Sequence, residues 1–193
     1  MQRYYTGIGS RKTPAPVIAI LTELAHTLFA AGYTLRSGAA DGADAAFEAG
    51  AGGLKDVFLP WAGFNKSTSA LTRVCDKALH LAESLHPAWP RLSGAAKKLH
   101  ARNTYQVLGL ALDAPSDFLV CWTPDGLESA EERTSQSGGT ATAVVLAQRH
   151  RVPVFNLKKP GRAADLSQYL KTQGIDWPVP ESLKAPIQTT LSI

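Results

Sequence analysis

Val17, Ile18, Leu21, Ala25, Leu28 and Phe29 recur at helical spacing along TPAPVIAILTELAHTLFAAG and form one apolar stripe. The spacing predicts a helix with Thr13 as its cap, Pro14 in its first turn and Gly32 at its exit. The stretches on either side lack that period. RYYTGIGS, ending at Gly9, then YTLRSG, then DVFLP, closed by Pro60, are short apolar runs that predict strands. DGADAAFEAGA, between the second and third of them, predicts a short Ala-rich helix with Asp41 as a cap. Strands and helices alternating at this spacing mean parallel βαβ crossovers.

The second half is less regular. STSALTRVCDKALHLAESL predicts a helix, HPAWPRLS breaks it, and GAAKKLHARNTYQVLGLALD predicts another. DFLVCW predicts a buried strand, TPDGLESAEERTSQSGG a polar loop, TATAVVLAQRH a helix and VPVFNL a strand. AADLSQYLKTQG predicts a last helix before a Pro-containing tail from Trp177 to Ile193. The pattern predicts an α/β fold: a Rossmann-like, doubly wound three-layer sandwich on a mainly parallel sheet of about five or more strands. Residues 1–160 make that domain, and residues 161–193 form a helix and tail packed on it. In such sheets ligands bind beyond the C-terminal strand ends, near the switch point.

Composition narrows the class rather than the function. With 45% hydrophobic and 19% charged residues the chain can fill a core, and its formal charge of +4 permits an anionic ligand without requiring one. Cys75 and Cys121 have neither disulfide-framework nor zinc spacing and are expected to pack as small hydrophobes. MQRYYTGIGS has no apolar signal core, and no run approaches the roughly 18 apolar residues of a membrane span. The expectation is a cytoplasmic protein that does not enter membranes and has no metal site or resident cofactor.

The candidate chemistry lies just after the strands. Gly9-Ser10-Arg11 follows the first, Ser37-Gly38 with Asp41-Gly42 and Asp44 the second, and Ser137-Gly138-Gly139-Thr140 with Thr142 opens the helix after DFLVCW. Small residues allow a ligand close to the backbone, and a helix N-terminus offers free N–H groups to an anion, typically phosphate. Arg11, Lys12 and Lys66 add charge. Asp44 is an acceptor suited to a ribose hydroxyl or a base amino group. Arg36 would be costly unless paired, which predicts Asp44 or a ligand phosphate as its partner. Trp61, Phe64 and Trp122 stand at strand mouths, where a base could stack; capping the sheet rim is the competing role, stronger for Phe64. GIGSRK has G-x-G but no third glycine, and no G-x-x-x-x-G-K-S/T is present, so neither a standard dinucleotide fingerprint nor a P-loop can be read. No Ser-His-Asp or Cys-His arrangement can be read either, and no catalytic residue is assigned.

Together these segments carry a resemblance. GIGSRKTP…LRSGAADGADAAFEAGA resembles the start of the DNA-processing protein A (Smf) family, with its G-S/T-R turn followed by S-G-x-A-x-G-x-D-x-x-A. HARNTYQVLGLAL is similar to the family's R-N-R-x-I-x-x-L, and SQSGGTATAVVLAQRHRVPVFNL to its S-G-S/T-x-x-T-A helix and following strand. Order and spacing agree from about Tyr5 to Leu157. The wider Smf–LOG group, which includes the LOG phosphoribohydrolases, shares a Rossmann-like fold. The resemblance implies a binder of nucleotides, nucleotide derivatives or single-stranded DNA, often a homodimer or higher homo-oligomer, and adds Arg102 and Asn103 to the site. In the phosphoribohydrolase branch the motif P-G-G-x-G-T-x-x-E ends in a glutamate, and here Val145 stands at that position. Binding rather than N-glycosidic hydrolysis is therefore the leading expectation. LPWAGFNKST replaces the family's usual glycine-and-tyrosine segment after the third strand.

Overall fold

The computed structural model describes residues 2–134 and 136–184. Five strands form one all-parallel sheet: β1 (Arg3–Gly9), β2 (Tyr33–Ser37), β3 (Lys55–Val57), β4 (Phe118–Trp122) and β5 (Val154–Asn156), in the order β3-β2-β1-β4-β5. Among the described residues six α-helices connect or flank them: α1 (Ala15–Ala30), α2 (Ala43–Gly50), α3 (Asp76–Leu85), α4 (Gly94–Leu108), α5 (Thr140–Arg149) and α6 (Arg162–Thr172). β1 is central, with Thr6 beside Arg36 on one side and Ile8 beside Cys121 on the other. The chain steps outward from β1 to β3, then returns to β4. The strand order therefore reverses between β1 and β4, where an open α/β sheet leaves a crevice at its C-terminal edge.

Period-two alternation sends side chains to two cores. Tyr5, Leu35, Phe118 and Phe155 pack with α1, α2 and α6, and that core continues to Ile175 and Trp177. Ile8, Leu119, Cys121 and Val154 pack with α3, α4 and α5. The fold is thus a Rossmann-like three-layer α/β sandwich. The part of the tail at residues 185–193 lies outside the described residues.

Four local expectations are corrected. Thr13 does not cap α1: residues before proline are driven to extended backbone, Pro14 takes the cap position, and the Thr13 hydroxyl instead donates to the Ser10 carbonyl at 2.7 Å. Asp41 does not cap α2. Gly42 does, at φ 80°, and Asp41 accepts from the Asn65 amide. The long helix before His86 is helical only from Asp76. Upstream of it the Ser67 and Ser69 hydroxyls accept from the N–H groups of Ser69 and Leu71, local bonds that compete with a helix. α4 stops at Leu108 because Gly109 turns to φ 72°.

α1 and α2 cross closely at Gly50, where an added Cβ would lie 2.1 Å from the Thr22 carbonyl oxygen. Ala gains up to about 1 kcal/mol of helix propensity over Gly, but a backbone oxygen cannot yield by that distance. Gly50→Ala is expected to destabilise by about 1–3 kcal/mol net, read as a lowered urea midpoint.

Candidate functional site

The turns after β1, β2 and β3 meet the segment after β4 at the C-terminal edge of the sheet, around a cleft of about 600 Å3. The β1 turn is sutured to its neighbours. Ser10 N–H donates to the Trp122 carbonyl at 2.9 Å, Lys12 N–H to Ser10 Oγ at 3.0 Å and Ala43 N–H to the Ser10 carbonyl at 3.3 Å. A Cβ on Gly9 would come within 2.7 Å of both Ala43 Cβ and the Trp122 carbonyl, so glycine is required for this approach. Ser10, Arg11 and Lys12 border the cleft, the last two exposed.

Arg102 and Asp44 form the buried polar centre. Arg102 Nη1 lies 3.3 Å from Asp44 Oδ2 and donates to Gln106 Oε1 at 3.0 Å; Asp44 Oδ1 accepts from Gly9 N–H at 3.2 Å. Both side chains are almost wholly buried. Burial pushes the Asp44 carboxyl up, and the adjacent guanidinium pulls it back. The two residues come from helices on opposite faces, so the pair closes only above the strand ends. Gly38 leaves that opening: a Cβ there would lie 1.4 Å from Arg102 Nη1. Gly38 thus makes room for an arginine, whatever else it serves. Arg102 Nε has no partner among the described residues.

The opposite wall is the start of α5. Gly138, at φ 56°, and Gly139 precede Thr140, and all three border the cleft. The first N–H groups of a helix have no intrahelical acceptor. Asn103 fixes this corner by donating from Nδ2 to the Gly139 carbonyl at 2.7 Å, while its Oδ1, also buried, has no partner among the described residues. The polar loop after β4 is tied down. Asp125 Oδ2 accepts from Thr134 Oγ1 at 2.6 Å and Ser137 Oγ at 2.5 Å, and Glu128 meets Arg162 Nε at 2.7 Å. Below the first turn of α5, Thr142 Oγ1 and His100 Nδ1 share a hydrogen bond of 2.7 Å, and the His86 ring centroid is 4.5 Å from that of His100. Burial, then the nearby His86, Arg133 and Arg102, lower the His100 imidazole to about 4.

Gly9, Ser10, Arg11, Asp44, Arg102, Asn103 and Ser137 to Thr140 are brought together at the cleft. The others lie elsewhere. Arg36 does not pair with Asp44: its guanidinium stacks on Tyr4 at 3.8 Å and donates to the Ala114 carbonyl at 2.6 Å, beneath the end of α4. The strand alternation points it to that face, and Arg102 occupies Asp44 instead. The Trp122 side chain is in the core, and only its carbonyl serves the β1 turn. Trp61 is exposed and meets Phe64 edge-on at 5.3 Å. Ser37 and Thr142 are buried beneath the site, Gly42 shapes the turn against the Ser10 carbonyl, and exposed Asp41 holds Asn65. Lys66 does not border the cleft. Phe64, weighed from sequence as a stacking or rim residue, does, and so do Leu99, Pro124 and Gln136, which were not assigned to the site. Leu99 lies four residues before Asn103 on one helix face, a spacing that could have found it.

Arg11, Lys12 and Arg102 against the single carboxylate of Asp44 leave the cleft electropositive. Asp44 is committed to Arg102 and Gly9, and Val145 is buried in the α5 core. Among the described residues no cluster of His, Cys, Asp and Glu could hold a metal ion, and no helix is long and apolar enough to cross a membrane. Cys121 is buried, while Cys75 is only partly so and accepts from the Tyr105 hydroxyl.

No protein-family model matches the chain, and no curated protein matches it. Among solved structures it is similar to DNA processing protein A from Helicobacter pylori, described for its unique single-stranded DNA binding mode. Identity is 17%, with 89% of this chain and 81% of that chain covered at a TM-score of 0.44. A likeness this distant says nothing about a ligand.

Proposed function

We propose that the cleft binds a nucleotide or nucleotide derivative through its phosphates. One observation carries the reading: the Gly138-Gly139-Thr140 start of α5 and the Ser10–Lys12 turn line the same cleft, with Arg102 and Asn103 in its wall. Free N–H groups, a helix dipole and excess positive charge suit phosphate. A volume near 600 Å3 suits one small molecule rather than a polymer. Single-stranded DNA is the second reading. Exposed Arg11 and Lys12 at the mouth favour it, since a strand leaving the cleft would pass them.

Calorimetry with AMP, ADP, NAD and oligo-dT tests both. At 100 times Kd a bound nucleotide is expected to add roughly 2.7 kcal/mol of stability. Arg11→Ala with Lys12→Ala is expected to weaken ADP binding by about 3- to 30-fold, as befits partly screened charges. A strand contacting about four phosphates predicts a log K against log salt slope near −3, and a mononucleotide much less. No heat and no thermal shift with any of the four probes at millimolar concentration would overturn the proposal.

A further inference from the structure

The segment following β3 presents Phe64 at the cleft, and it is unusual in its backbone. Gly63, Asn65 and Lys66 all have left-handed φ, at 73°, 50° and 63°. Such backbone is unfavourable for non-glycine residues and persists only where its surroundings hold it. The hold here is Asn65, whose amide donates to the Ala39 carbonyl and to Asp41 Oδ1, each at 2.9 Å. The result is the position of Phe64. Part of its ring rests on Ala39, Val57 and Leu59, and the residue borders the cleft. Trp61 braces it edge-on at an interplanar angle of 89°, and the Arg102 guanidinium carbon lies 5.8 Å from its centroid.

The strand order sets the distance to the phosphate-binding elements. Strands stand about 4.8 Å apart. Two strand spacings therefore separate the end of β3 from that of β1, roughly 10 Å, and three separate it from that of β4, roughly 14 Å. Small Ala40 and the buried Arg102 border the space between. We infer that Phe64 is the stacking surface for a nucleobase, and that the cleft selects nucleotides over sugar phosphates or inorganic pyrophosphate. This rests on the cleft reading above. A base laid against Phe64 lies beside the wall that Ala40 and Arg102 form. The phosphates then reach Gly138–Thr140 and Ser10–Lys12. The selection is for a planar base carrying at least one phosphate.

The test compares ADP with pyrophosphate and ribose 5-phosphate on the full chain, by calorimetry, in wild type, Phe64→Leu and Phe64→Trp. Stacking of one base corresponds to about 5- to 150-fold in affinity. Wild type is expected to prefer ADP over both probes by that factor. Phe64→Leu should remove most of the preference while leaving pyrophosphate binding unchanged, and Phe64→Trp should keep it. Equal binding of ADP and pyrophosphate by wild type overturns the stacking surface and leaves the phosphate site standing. Equal weakening of ADP and pyrophosphate by Phe64→Leu also overturns it, since the residue would then only shape the cleft. Absence of binding by every probe removes both readings together. If Phe64→Leu fails to fold, the wild-type preference and the Phe64→Trp variant decide the matter.

Discussion

Arg102→Met is expected to cost about 3–5 kcal/mol of unfolding free energy at pH 7.5, the range found when one partner of a buried ion pair is removed. The reason lies in what remains. Asp44 keeps only backbone donors, the N–H of Gly9 among them, and stays buried as an uncompensated carboxylate. Gln106 Oε1 loses its donor, beside a Gln106 Nε2 that already lacks a partner among the described residues. Asp44→Asn in the same chain is expected to recover a good part of the loss, because a neutral amide still accepts from Gly9 without carrying charge into the interior. Urea midpoints of the wild type, both single variants and the double variant form a cycle. A strong non-additive term is expected, since the two groups are 3.3 Å apart. A loss below about 1 kcal/mol in Arg102→Met would mean that water reaches the pair and that the site is not held by it.

Acid is expected to destabilise the fold through His100. The His100 imidazole is held neutral by burial and by His86, Arg133 and Arg102, which lower it to about 4 from an ordinary value near 6.5. The unfolded chain therefore binds this proton at a higher pH than the folded protein does. The contribution is intact above about pH 6.5 and declines as the pH falls towards 4. A shift of that size corresponds to about 3 kcal/mol in full, reduced to about 1–2 kcal/mol because the group is only partly buried. His86, also lowered chiefly by burial, acts in the same direction. His100→Asn keeps a polar partner for Thr142 and should flatten the curve between pH 6.5 and 4. Parallel losses in wild type and variant would assign the acid sensitivity to other groups.

The sheet and the bends at its edge were legible because their signals are local. Gly9, Gly38 and Gly138 each announce a turn within a few residues, and the Val17 to Phe29 stripe announces its helix. What is decided across the chain was not legible. Asp44 chose Arg102, 58 positions away, over Arg36, eight positions away, because strand alternation points Arg36 to the α4 face and Gly38 opens a path for Arg102. Phe64 could not be separated from an ordinary rim residue, because its placement follows from Asn65 bonding to Ala39 and Asp41, 26 and 24 positions earlier across α2 and β3. The Ser-rich segment before α3 showed apolar positions at helical spacing, but its hydroxyls captured the backbone donors.

β3 and β5, at the two margins of the sheet, have only three residues each. A margin that brief offers few free N–H and C=O groups to another molecule's strand, so cross-molecular β-pairing, the usual route to insoluble assemblies of open sheets, finds little purchase. Lengthening either margin with alternating valine and threonine is expected to raise the tendency to aggregate.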